Sequence, residues 1–137
     1  MRAAITAMAL VVSLTGCGLF DSGSNWKSGR YEVLWIDLHS DSHLAYRLDS
    51  STSIEIVESC VFAAGANDQY IAVKQRQSGS TAVPMYYVVS KADYDPSQEP
   101  GRAVIGPLSE AEFERLGKRL VLPALEPISE AACKVAA

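Results

Sequence analysis

The chain has 137 residues, of which 48% are apolar, and carries 16 acidic against 12 basic side chains for a net charge of −4. That length allows one domain, and that apolar fraction can bury a core, which excludes global disorder. No basic run exceeds a Lys-Arg pair, so the electrostatic footprint of a nucleic-acid binder is missing and no nucleic-acid partner is expected.

Residues 1–16 read as a removable leader. Met1-Arg2 supplies one positive charge, and Ala3 to Leu14 follows as an apolar run broken only by Thr6 and Ser13. Such a run has the length of a signal-peptide h-region and is too short to cross a hydrocarbon core about 30 Å thick. It ends Leu14-Thr15-Gly16-Cys17, an apolar residue, two small ones and a cysteine. This ending resembles the lipobox of bacterial lipoprotein precursors. The resemblance implies that the Cys17 thiol takes a phospholipid-derived glyceryl group and that a peptidase then cuts before it. Cys17 would become a first residue carrying two acyl chains, and commonly a third. Two or more chains anchor stably where one holds only marginally, at about 0.8 kcal/mol per buried methylene. The implied partner is therefore the membrane, through covalent lipid. The implied location is the cell envelope, and Gly18 in place of Asp points to an outer membrane facing the periplasm if the host is Gram-negative. Loss of Arg2 leaves the mature chain more acidic, so anionic headgroups would add little to its attachment.

Residues 17–28 are expected to be the lipidated cysteine and a flexible tether, because "GLFDSGSNWKS" is rich in Gly, Ser, Asp and Asn. Trp26 is the exception and is expected to pack on the domain edge. Residues 29–128 are expected to form a single domain, followed by a tail over 129–137. Within the domain, "RYEVLWIDL" (30–38) predicts a strand covered on both faces, "HSDSH" (39–43) a polar turn and "LAYRLD" (44–49) a second strand. "IEIVESCVFAA" (54–64) predicts a third strand whose alternation slips near Glu58, as at a bulge or bend. The turn "GAND" leads into a fourth strand over 70–76, and 85–90 gives a fifth. Val104-Ile105 is a candidate edge strand. Ser109-Glu110-Ala111-Glu112 matches a capping box opening a helix to about Leu120, before Pro123 and Pro127 forbid its continuation. The expected fold is α+β, an antiparallel β-meander of about five strands closed by one C-terminal helix.

Three segments are together similar to a pattern found in a family of small bacterial lipoproteins with a domain of unknown function. They are Asn67-Asp68-x-Tyr70-Ile71 with Lys74-Gln75, Tyr86-Tyr87-Val88-Val89, and Val104 to Leu108 running into Ser109-x-x-Glu112-Phe113. The similarity spans residues 30 to 123, implies a shared fold and carries no assigned activity.

With Cys17 taken by lipid, Cys60 and Cys133 remain, an even number for an oxidising compartment. A disulfide between them would close a loop of about 70 residues, worth about 3–4 kcal/mol by chain entropy. The alternative is two free thiols. Asp37, His39, Asp41 and His43 are of metal-ligand types, but in a hairpin turn their spacing does not converge, so neither metal nor cofactor is expected. No Gly-x-Ser-x-Gly elbow occurs, and Glu55, Glu58 and Asp68 read as solvated carboxylates. Tyr31 joins Trp35, Tyr46, Tyr70, Tyr86 and Tyr87 on predicted strands, and the last five are the candidate binding surface, since Tyr and Trp serve as interface anchors. The expectation is a non-enzymatic, lipid-anchored protein that binds an envelope protein, as an assembly factor, inhibitor or immunity-type protein does. The alternatives are a small envelope hydrolase using the 37–43 region and a glycan or peptidoglycan binder using the tyrosines.

Overall fold

The computed structural model describes residues 22–77, 82–128 and 133. Short runs of branched and aromatic residues between Gly, Ser, Asn and Asp turns favour strands. Nine strands form among the described residues: β1 (Ser22–Ser28), β2 (Tyr31–Ile36), β3 (Leu38–Arg47), β4 (Ser53–Val57), β5 (Val61–Ala66), β6 (Tyr70–Gln75), β7 (Met85–Ser90), β8 (Val104–Leu108) and β9 (Glu126–Pro127). One helix, α1 (Glu110–Gly117), follows β8. The strands make two sheets, ordered β1-β2-β3-β4 and β8-β7-β6-β5-β9, with antiparallel pairing throughout. The α+β class and the antiparallel pairing match expectation. The single meander of about five strands does not, because the chain leaves the first sheet after β4 and builds a second.

The two sheets bury one core between them. Tyr31, Val33, Leu44 and Val57 from the first sheet meet Val61, Ala64, Ile71, Val73 and Val89 from the second. On the other side of the second sheet, Ala72 and Val88 pack against Leu116 of α1, ringed by Phe113, Ile105 and Leu108. The layers therefore run sheet, sheet, helix, and it is the second sheet that is covered on both faces. α1 opens as expected: the Ser109 hydroxyl accepts from the Glu112 N–H and the Glu112 carboxylate accepts from the Ser109 N–H. The helix ends at Gly117, short of Leu120, although Arg119 and Leu120 still donate back to the Leu116 carbonyl.

Three expectations are corrected. Residues 22–28 are not a tether; they form β1, paired with β2 from Ser22↔Ile36 to Ser28↔Tyr31, with Trp26 packed on the core. An edge strand can be this polar because only one of its faces needs apolar cover. The segment 54–64 is not one strand; the slip near Glu58 is where the chain passes from one sheet to the other. Residues 39–43 are not the reversal. The chain turns at Asp37, which holds a φ of 65°, a left-handed conformation that Asp tolerates. Since Leu34 pairs with His43 and Ile36 with Leu38, residues 39–42 stand opposite Trp35 alone, as a four-residue irregularity inside β3.

Strand directions place many features at one end of the sandwich. β4 runs back toward the Asp37 turn, so Cys60 lies at that end, exchanging both backbone hydrogen bonds with Arg76 (2.8 and 3.0 Å) just past β6. β9 also runs toward it, and beyond β9 Cys133 is joined to Cys60 by a disulfide with 5.6 Å between Cα atoms. The expected cysteine pairing is thus present. No helix among the described residues is long and apolar enough to cross a membrane.

Candidate functional site

The second sheet covers one face of the first sheet. Among the described residues, no strand or helix covers the opposite face of the first sheet, and its register fixes what it displays. Lys27, Glu32, Ala45 and Glu55 align across β1 to β4, with Leu34 and His43 beside them and Arg47 next to Ser53. Two of these residues are buried although no element covers them: Glu32 is 2% exposed and Ala45 fully enclosed. Long polar side chains supply the cover. The Arg47 guanidinium pairs with Glu32 Oε1, Ser53 Oγ donates to the same oxygen at 3.5 Å, and Lys27 Nζ stands 3.9 Å from Oε2. Oε2 itself has no hydrogen-bond partner.

A groove of about 590 Å³ opens on this face, lined by Gly23, Lys27, Trp35, His43, Arg47 and the loop Ser50–Ser53. Gly23 is required there: a Cβ at that position would come within 2.9 Å of Trp35 Nε1. The loop is held by Asp49, whose Oδ1 accepts from the Ser51 and Thr52 N–H groups at 2.8 Å each and from the Ser51 hydroxyl at 3.1 Å. The Ser51 N–H and hydroxyl hold the Asp49 carboxyl below its ordinary value. His43 Nδ1 lies 2.9 Å from the Asp41 carbonyl, which can only accept, so Nδ1 carries the proton and Nε2 is left as an acceptor in the neutral ring. The groove thus offers an indole, two cations, an imidazole and several hydroxyls. Groups of that kind can hydrogen-bond carbonyls and hydroxyls, while both cations are already engaged, Lys27 and Arg47 by Glu32 and Arg47 also by the Asp49 and Ser50 carbonyls.

The five expected aromatic residues do not share a surface. Trp35 lines the groove. Tyr46 packs on the core between the sheets, 5.1 Å from Tyr31 edge-on and 5.3 Å from Tyr94 between ring centroids. Burial, and then the neighbouring Tyr46 and Tyr94, push the Tyr31 phenol up to about 12, and Tyr94 rises for like reasons. Tyr70 packs at the margin of the helix-side cluster. Tyr86 is 6% exposed and stacked on Phe113 at 4.5 Å. Tyr87, one residue on, points the other way and packs on the core between the sheets, its phenol raised by burial and by the Glu58 charge. A side-chain period of two sends these neighbours to opposite faces.

Asp37 and Asp41 are exposed and His43 joins the groove, so the 37–43 residues scatter around the irregularity. Among the described residues, no three His, Cys, Asp or Glu side chains converge to hold a metal. Cys17 and the His39 side chain lie outside the described parts. Sequence reasoning missed Gly23, Lys27, Glu32 and Arg47. A signal for Glu32 existed, since it stands between Tyr31 and Val33 in a strongly apolar strand, but nothing in the sequence identified Arg47 as its partner.

No family model, curated protein or solved structure matches the chain.

Proposed function

We propose that this is a lipid-anchored envelope protein whose open sheet face binds a segment of a partner protein, without catalysing a reaction. The lipobox residues Leu14 to Cys17 support the anchor, and the paired cysteines suit an oxidising, periplasm-facing compartment. One observation carries the binding role. Among the described residues, no element covers the outer face of the first sheet, and a groove lined by Trp35, two cations and a hydroxyl-rich loop opens beside it. Aromatic and arginine anchors in a groove are the usual centres of protein recognition. Outer-membrane attachment, and membership of the family of small lipoproteins described above, are parts of the same reading.

The test places a photo-cross-linking residue at Ser51, on the groove, in the full-length chain in its native envelope. We expect one discrete protein adduct, reduced at least about tenfold by Trp35→Ala or Gly23→Ala, and none from a cross-linker at Val121. Equal capture from both positions, or capture indifferent to Trp35→Ala, would overturn the binding role. Trp35-dependent retention of peptidoglycan fragments would reassign the groove to glycan. Cys17→Ser is expected to release the protein from the membrane fraction.

A further inference from the structure

Cys17 stands five residues before Ser22, the first residue of β1. Whatever their path, five peptide steps reach at most about 18 Å. Ser22 pairs with Ile36, and Ile36 pairs with Leu38 across the Asp37 turn. Paired Cα atoms lie about 5 Å apart. The turn is therefore tied within a short, fixed radius of Cys17.

This turn is also where the domain exposes large apolar side chains in close succession. Ile36 is 49% and Leu38 61% exposed. Val83, 79% exposed, lies on the connection from β6 to β7, which returns at the same end of the sandwich. Among the described residues, the other exposed large apolar ones, Leu48 and Val121, stand singly at the opposite end, one after β3 and the other held through its carbonyl to Asn67 past β5. Single exposed apolar residues are ordinary; a group at one end has a reason.

We infer that the β2–β3 turn is a second membrane contact, seating Ile36 and Leu38 in the headgroup–acyl boundary beside the lipid on Cys17. The inference rests on the anchoring proposed above, and the occupant follows from the length of chain that leads there. Two side chains are too few to bind a bilayer alone. Held within about 28 Å of an anchor, they face the bilayer at high effective concentration, and their contribution becomes one of orientation. Asp37 and Asp41 are exposed at and just beyond this turn, so the contact favours zwitterionic headgroups and weakens as anionic lipid is added.

Trp35 adjoins Ile36 and serves as the probe. The full-length lipidated chain carrying Trp26→Phe is reconstituted in phosphatidylethanolamine–phosphatidylcholine vesicles with or without brominated acyl chains, and the mass of the Cys17 peptide is measured in the same sample. We expect brominated lipid to quench Trp35 emission, with the quenching cut at least about twofold by Ile36→Asn with Leu38→Asn and unchanged by Val121→Asn. Replacing half of the lipid with phosphatidylglycerol is expected to reduce it as well. If Cys17 carries its acyl chains and Trp35 is unquenched, or is quenched equally in the double variant, the second contact is overturned while the anchor stands. Cross-links between two copies through Leu38 would likewise overturn it, assigning the turn to self-association. A Cys17 peptide without acyl mass overturns the anchor itself.

Discussion

Glu32 keeps its carboxylate in a site with 2% exposure because Arg47 covers it from the neighbouring strand and Lys27 approaches from the other side. Removing one partner from such an arrangement strands a charge that has already lost its water, which costs more than the pair contributes. Arg47→Met is expected to destabilise the fold by about 2–3 kcal/mol, less than for a fully enclosed pair because Arg47 is partly exposed and Lys27 remains. Replacing Glu32 and Arg47 together by leucine and methionine is expected to recover most of that loss. Urea unfolding of Arg47→Met, Glu32→Leu and the double variant checks this; an Arg47→Met cost below about 0.5 kcal/mol would show a pair that water already screens. The same side chains wall the groove, so the proposed binding and the stability would share residues on this face. Trp35 is the residue to alter when binding is to be lost with the fold kept, since it belongs to neither the ion pair nor the core cluster.

Among the elements, Gly65 in β5 shows how closely the chain after the helix is laid down. A Cβ there would fall 2.0 Å from the Ala124 carbonyl oxygen, a distance no packing adjustment of a side chain can relieve. Gly65→Ala is expected to displace the segment leading into β9 and to cost about 3 kcal/mol, the upper end for overpacking, read as a lowered urea midpoint with faster amide exchange at Ala63 and Ala64. β6, β7 and the start of α1 were legible in the sequence, because each joins a clear period to a turn or cap: Asn67-Asp68 before Tyr70, and Ser109 with Glu112 at the helix. β1 was not. Ser22 to Asn25 have the composition of a linker, and the one apolar residue that fixes the strand, Trp26, cannot announce its partner. β4 and β5 merged for a related reason: a strand entering a second sheet stays apolar, so only the slip at Glu58 marked the change. β9 is two residues with a proline, and Pro127 is tolerated because it sits on a sheet edge. The aromatic residues were assigned to strands correctly, but which face each met depended on layers that local alternation does not encode. The groove was illegible for the same cause, since Gly23, Trp35 and Ser51 come from β1, β2 and the loop after β3.

At the scale of the molecule, the disulfide joins the point where the chain enters the second sheet to residue 133, across a sequence separation of 73. In the chain-entropy account, closing a loop of that length contributes about 4 kcal/mol, a large share of what a domain this size possesses. Cys60→Ala with Cys133→Ala is expected to lower unfolding free energy by about that amount, and reductant is expected to do the same to the unaltered chain; a change under about 1 kcal/mol would show that the tail docks without its bond. The pairing of β1 bears on how the whole head works. Because β1 is part of the sheet, the proposed anchor at Cys17 would stand only five residues before the first strand, where composition suggested a tether of about a dozen residues. With the Asp37 turn at the lipid surface, the seven residues of β1 would lift the Ser50–Ser53 loop only about 23 Å above it. A head anchored in the proposed way could not sweep the space beyond for a target; it would patrol a thin shell, and a partner would have to live in, or be delivered to, that layer.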